Sequence, residues 1–177
     1  MQRRKGWYKS LIFLLFIISS VWVLMQFTAP LTLTAGSVKD LSGRVGLLDN
    51  KNKIKDMNQP WSLVYTIGDR LCHQLSSRSF YINGNQMPFC ARCTAFWLGL
   101  AIGLGYMVFF IIRVNERFLV MIIIGVAPLA VDGLGQFLGL WESTNIIRFI
   151  TGVLAGLICG LAIGLIIEEL RYTPTRK

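Results

Sequence analysis

Charge is scarce in this sequence. Only 15% of its 177 residues are Asp, Glu, Lys or Arg, against about a quarter in a soluble domain, which argues against an ordinary solvated globule. Acidic side chains are scarcer still, nine against eighteen basic ones, for a net charge of +9. That excess is not read as nucleic-acid binding, because no recognition module accompanies it. Histidine occurs once, as His73, and cysteine four times.

What the sequence has in quantity is uninterrupted hydrocarbon. Hydrophobic residues make up 54% of the chain and gather in four blocks: 11–27, 94–112, 118–138 and 146–167. The blocks approach or exceed the roughly 20 residues that cross a bilayer. The expected fold class is therefore an all-α membrane protein with four transmembrane helices, and its first expected partner is the lipid bilayer. The first block could be a signal peptide. Its apolar run exceeds the roughly 7–15 residues of such segments, and cleavage after Ala35 would set Leu33 where a small residue is needed. An uncleaved anchor is the expectation.

Residues 30–60 are polar and turn-rich, with Pro30, Gly36, Gly43, Gly46, Asp49, Asn50 and Asn52. From Trp61 to Leu75, apolar residues return at Leu63, Val64, Ile67, Leu71 and Leu75. This is the spacing of a short amphipathic helix, which could lie at the interface with Trp61 and Tyr65 as anchors. Residues 76–89, with Gly84 and Pro88, read as a loop. The chain divides into 1–29 (cytoplasmic tail and anchor), 30–93 (extracytoplasmic loop), 94–167 (three-helix bundle) and 168–177 (cytoplasmic tail).

Basic residues in short flanks set orientation. Arg3, Arg4, Lys5 and Lys9 precede the first span, Arg113 and Arg117 lie between the second and third, and Arg171, Arg176 and Lys177 close the chain. The connection 139–145 has neither Lys nor Arg. Both termini are thus expected in the cytoplasm of a multi-pass cell-membrane protein, with the 30–93 loop outside.

Within the spans, Gly152, Gly156, Gly160 and Gly164 recur at every fourth position. Such spacing forms a groove that admits a second backbone, belonging either to this chain or to a homo-oligomer or other membrane partner. Gly99 and Gly103 repeat it in the second span. Asp132 stands in the third span with Gln136 one turn on, and Arg148 follows Asn145 at the start of the fourth. A carboxylate in hydrocarbon is costly unless neutral or paired, so an Asp132–Arg148 pair is expected, bracketed by Gln136 and Asn145. It would serve as a substrate or proton site, or as an internal clamp.

Cys72-His73-Gln74 and Cys90-Ala91-Arg92-Cys93 share the loop. Three thiols and one imidazole (Cys72, His73, Cys90, Cys93) could supply a closed tetrahedral zinc site. Alternatively the Cys-x-x-Cys pair cycles between dithiol and disulfide, with Arg92 lowering a thiol pKa, or forms a plain structural disulfide. Arg70, Arg78 and Arg92 are candidates for binding an anion, and Cys159 reads as a packing residue.

Together, Cys72-His73-Gln74, Arg78-Ser79-Phe80, Pro88 through Thr94, Asp132-Gly133, Gln136, Asn145, Arg148 and Thr151-Gly152 resemble an uncharacterised family of small prokaryotic membrane proteins, the domain of unknown function numbered 2085. The resemblance covers roughly residues 60–167 and departs at Ala95, where the family usually carries glycine. It implies that the Cys/His loop and the Asp132–Arg148 region act together, and it names no reaction. Function is therefore expected among four classes: a metal or thiol site beside a polar pocket, a membrane thiol–disulfide oxidoreductase, a small transporter or channel subunit, or a membrane assembly protein.

Overall fold

A computed structural model describes residues 6–110, 112 and 115–170. The basic residues Arg3, Arg4, Lys5, Arg113, Arg171, Arg176 and Lys177, on which the orientation argument leans, lie outside the described residues. Among the described residues there are six α-helices: α1 Trp7–Thr32, α2 Lys51–Ile54, α3 Trp61–Leu71, α4 Ala91–Phe109, α5 Glu116–Phe137 and α6 Asn145–Glu169. Helices α1, α4, α5 and α6 are long and apolar enough to cross a membrane. The protein is an all-α membrane protein.

The boundaries follow from local chemistry. The side-chain oxygen of Asn115 caps α5 by accepting from Phe118 N at 2.9 Å, and Thr144 caps α6 by accepting from Ile147 N at 3.3 Å. Helix α5 ends at Gly139, whose φ of +71° is left-handed. Leu140 N then donates to Gly135 O and Gly139 N to Gln136 O, the two bonds of a Schellman closure. This stop turns the chain sharply and aims residues 141–143 back at the end of α5.

The four long helices pack in the order α1, α4, α6, α5. The central seam joins α4 and α6 through glycine. A Cβ on Gly156 would stand 2.1 Å from Phe96 O, one on Gly99 2.2 Å from Val153 O, and one on Gly160 2.5 Å from Leu100 O. The two backbones therefore touch, and dispersion and weak Cα–H contacts hold them where lipid supplies no hydrophobic drive. The glycine face, expected to serve an internal or an external partner, is filled by α4 of the same chain. Side chains make the outer contacts: Phe16 lies on Gly105, and Ile158 on Gly125.

Residues 33–90 form a folded cap over the end of the bundle where α1 finishes and α4 begins. Val38, Leu41, Ile54, Val64 and Tyr65 bury around Ala29 of α1. Tyr65 was expected as an interfacial anchor. Instead its ring is fully enclosed and its hydroxyl donates to Gln86 O at 2.7 Å, because the side of α3 facing the cap is Val64, Tyr65, Gly68 and Asp69. Leu63 and Leu71, from the expected apolar stripe, are exposed. The 76–89 loop contains a hairpin, β1 Tyr81–Ile82 pairing antiparallel with β2 Asn85–Gln86. Its two turn residues, Asn83 and Gly84, have φ of 52° and 70°, as a type I′ turn requires.

Candidate functional site

Cys72 ends α3 and Cys90 precedes α4, and the cap holds those two points together. Gly68 makes this approach possible, since a Cβ there would sit 2.0 Å from Pro88 O. Gln74 fixes the crossing. Its Nε2 donates to Pro88 O at 2.7 Å and its Oε1 accepts from Asn50 Nδ2 at 3.1 Å. Gln86 supports it from behind, donating to Gln74 O at 2.6 Å. Asp69 is fully buried and accepts from both the backbone and the side chain of Asn50. These buried polar groups are mutually satisfied, which makes the cap a rigid frame.

The frame brings three sulfurs together. The Sγ atoms of Cys72, Cys90 and Cys93 all lie within 4.8 Å of one another. All four cysteines are free thiols. Cys72 Sγ also accepts from Cys90 N at 3.3 Å and Gln74 N at 3.5 Å. Hydrogen bonds from the Cys72 and Cys93 thiols hold Cys90 far below the ordinary thiol range, while the bond between Cys72 and Cys90 pushes Cys72 up. Cys90 also stands at the start of α4, where the helix dipole favours an anion. Cys93 belongs to the first turn of α4, which begins three residues earlier than the apolar block suggested.

His73 is not in this group. Its side chain is exposed, and its backbone oxygen accepts from Gly43 N at 2.9 Å. Cys72 has extended backbone angles, so neighbouring side chains point to opposite sides. Cys72 and Gln74 turn inward, and His73 turns to solvent. The expected four-ligand set is reduced to three thiols. Cys159 sits well away in α6, half-buried.

The polar pocket adjoins the triad through Arg92. Its Nη2 bonds Asp132 Oδ2 in a close ion pair. Ser143 Oγ donates to the same oxygen at 2.9 Å, and Trp141 Nε1 reaches Oδ1 at 3.5 Å. Asp132 was expected to pair with Arg148, but Arg92 at the start of α4 takes that place. Arg148, 4% exposed, donates instead to Asn145 Oδ1 at 3.0 Å and to the Gln136 side-chain oxygen at 2.7 Å. That Gln136 oxygen also accepts from Arg78 Nη2 at 3.1 Å. Arg148 lies within electrostatic reach of Arg78, Arg92, Asp132 and Cys90. Of the anion-binding candidates, Arg78 and Arg92 line this pocket with Arg148. Arg70 is exposed on α3, where its backbone oxygen accepts from Gly46 N. Asn145 Nδ2 donates to Ser79 O at 3.4 Å, tying α6 to the cap.

Sequence reasoning missed Ser143 and Trp141 as partners of Asp132, and Asn50, Asp69 and Gln86 as the frame behind the thiols. The Gly139 stop was the available signal for the first pair, because a Schellman turn folds the next residues onto the helix end.

The family described as "Predicted membrane protein (DUF2085)" matches residues 72–162, from Cys72 through α6. Uncharacterized protein MJ1492 of Methanocaldococcus jannaschii is 39% identical over 97 residues, 52% of this chain and 61% of that relative. An uncharacterized protein of Methanothermobacter thermautotrophicus is 33% identical over 93 residues, 52% of this chain and 82% of its own length. The chain thus spans less than two thirds of the first relative. No solved structure matches.

Proposed function

Because the chain belongs to the DUF2085 family of predicted membrane proteins, whose match begins at Cys72 and takes in both the thiol triad and the arginine pocket, we propose that it is a membrane metal-thiolate protein. Cys72, Cys90 and Cys93 hold a zinc ion on the extracytoplasmic face, and the adjoining arginines bind an anionic ligand. The triangular arrangement of the sulfurs carries this reading. Zinc–sulfur bonds of about 2.3 Å in a tetrahedron set sulfurs roughly 3.8 Å apart, in keeping with three thiols all within 4.8 Å. A disulfide would use two and strand the third. With His73 turned away, the site is of the open kind, with three protein ligands and a fourth position left for water or a ligand.

Metal analysis of the purified whole protein is expected to find one zinc per chain, lost in Cys72→Ser and Cys90→Ser and kept in His73→Ala. Metal-free protein with three reactive thiols would reject the reading, and so would loss of zinc from His73→Ala.

A second reading draws on the Cys90 thiolate at the α4 N-terminus. The dithiol would pass two electrons and two protons to a partner's disulfide and close a Cys90–Cys93 bond. Acid-trapped cells in which that pair is found oxidised would favour it over zinc. Both readings place the cap outside. A Lys39→Cys variant is expected to react with an impermeant maleimide on intact cells, and protection until lysis would reverse the orientation.

A further inference from the structure

Beside Cys93 lies a cavity of about 300 Å³ whose walls include Phe89, Leu129 and Arg92. A larger one of about 620 Å³ runs between α1, α3 and α4. Leu71 and Trp97 line both, so the two lie side by side. The walls of the larger cavity are hydrocarbon and aromatic, with Ser19 the single hydroxyl. That hydroxyl is turned back onto Leu15 O at 2.7 Å. Between Cys93 and Leu104 the trough follows α4 for about 16 Å at roughly 1.5 Å per residue. That is close to the depth of one leaflet, half of a hydrocarbon core about 30 Å thick.

The head of the trough is basic. Arg92, in the wall of the smaller cavity, pairs with Asp132, which Ser143 and Trp141 also engage, and beside it Arg78 and Arg148 meet on the Gln136 side-chain oxygen. Even with Cys90 as thiolate, the local charge stays positive. The Nε donors of Arg92 and Arg148 are buried without an acceptor among the described residues. Like charges held together out of water call for an anion. Three guanidiniums present more donors than the two oxygens of a carboxylate can accept, and the several oxygens of a phosphate match them better.

We propose that this site binds a single-chain lipid phosphate, with its head among Arg78, Arg92 and Arg148 and its chain in the trough. The inference rests on the arginine pocket of the function proposed above, and not on the thiols holding zinc. Entry is lateral, from the bilayer, past the exposed Leu71 of α3. Arg92 joins the two halves, since it lines the smaller cavity and its guanidinium pairs with Asp132.

The test uses the whole protein in phosphatidylcholine nanodiscs and radiolabelled dodecyl monophosphate, with dodecanol and inorganic phosphate as competitors. Dodecyl monophosphate is expected to bind at least tenfold more tightly than either competitor. Arg78→Gln should reduce its advantage over dodecanol at least tenfold. Leu71→Trp, at an exposed position on the wall shared by both cavities, should weaken it tenfold and leave inorganic phosphate unaffected. Zinc content measured on the same samples separates the two proposals, because neither substitution touches a sulfur ligand. Equal binding of dodecanol and its phosphate would overturn the inference, as would phosphate selectivity that survives in Arg78→Gln.

Discussion

Gly156→Val is expected to prevent stable folding of the bundle, with a loss of at least about 3 kcal/mol where folded protein can be recovered. The added Cβ would stand 2.1 Å from Phe96 O and 2.9 Å from Leu100 N, both backbone atoms of a helix. A side chain could rotate away, but a helix must translate, and Gly152 and Gly160 meet α4 backbone on the same face. Separating the helices forfeits contacts along the whole seam. Thermal unfolding in detergent provides the measurement, with Gly133→Ala as control. The nearest atom to a Cβ on Gly133 is Arg92 Nη1 at 4.0 Å, so that variant should stay within about 1 kcal/mol of the parent. Equal stability of the two variants would mean that α4 and α6 do not touch as described.

The second large effect concerns Asp132 and Arg92, and it should be asymmetric. Arg92→Ala leaves a carboxylate buried in the end of the bundle with only Ser143 and Trp141 to answer it, and should cost about 3–5 kcal/mol. Asp132→Asn leaves a guanidinium whose side chain is 28% exposed, so water reaches it and the loss should be smaller, about 1–2 kcal/mol. The double replacement Arg92→Met with Asp132→Leu removes both charges and should recover most of the stability. Unfolding of the four proteins under one detergent condition ranks them directly. Arg92→Ala proving no worse than Asp132→Asn would show that the ion pair is not what holds this corner.

The sequence made the bundle legible because block length and hydrocarbon content are counted directly along the chain. The glycine repeat likewise announced a backbone contact, though not which helix would fill it, since that depends on how the spans pack. Partners were harder. Asp132 and Arg148 stood near one another across a short connection, while Arg92 lay forty residues away in sequence. In the helix order α1, α4, α6, α5 the helices α4 and α5 are not neighbours, and it takes the long Arg92 side chain to span from the first turn of α4 to Asp132. The thiols were legible as a group because two lie in one Cys-x-x-Cys. His73 was not separable from them by spacing. Only the extended backbone at Cys72 decides that adjacent side chains part company. The hairpin was written in Asn83-Gly84, a two-residue signal inside a segment otherwise read as a plain loop.

Cys72 is rooted in the cap through α3, whereas Cys93 is rooted in the bundle through α4. Any agent that joins them, whether a cation or a covalent sulfur bond, works as a clasp between two layers of the molecule. With the clasp shut, lifting the upper layer must break a strong bond as well as the weak contacts around it. Release of the clasp would leave the weak contacts alone to hold the two layers together.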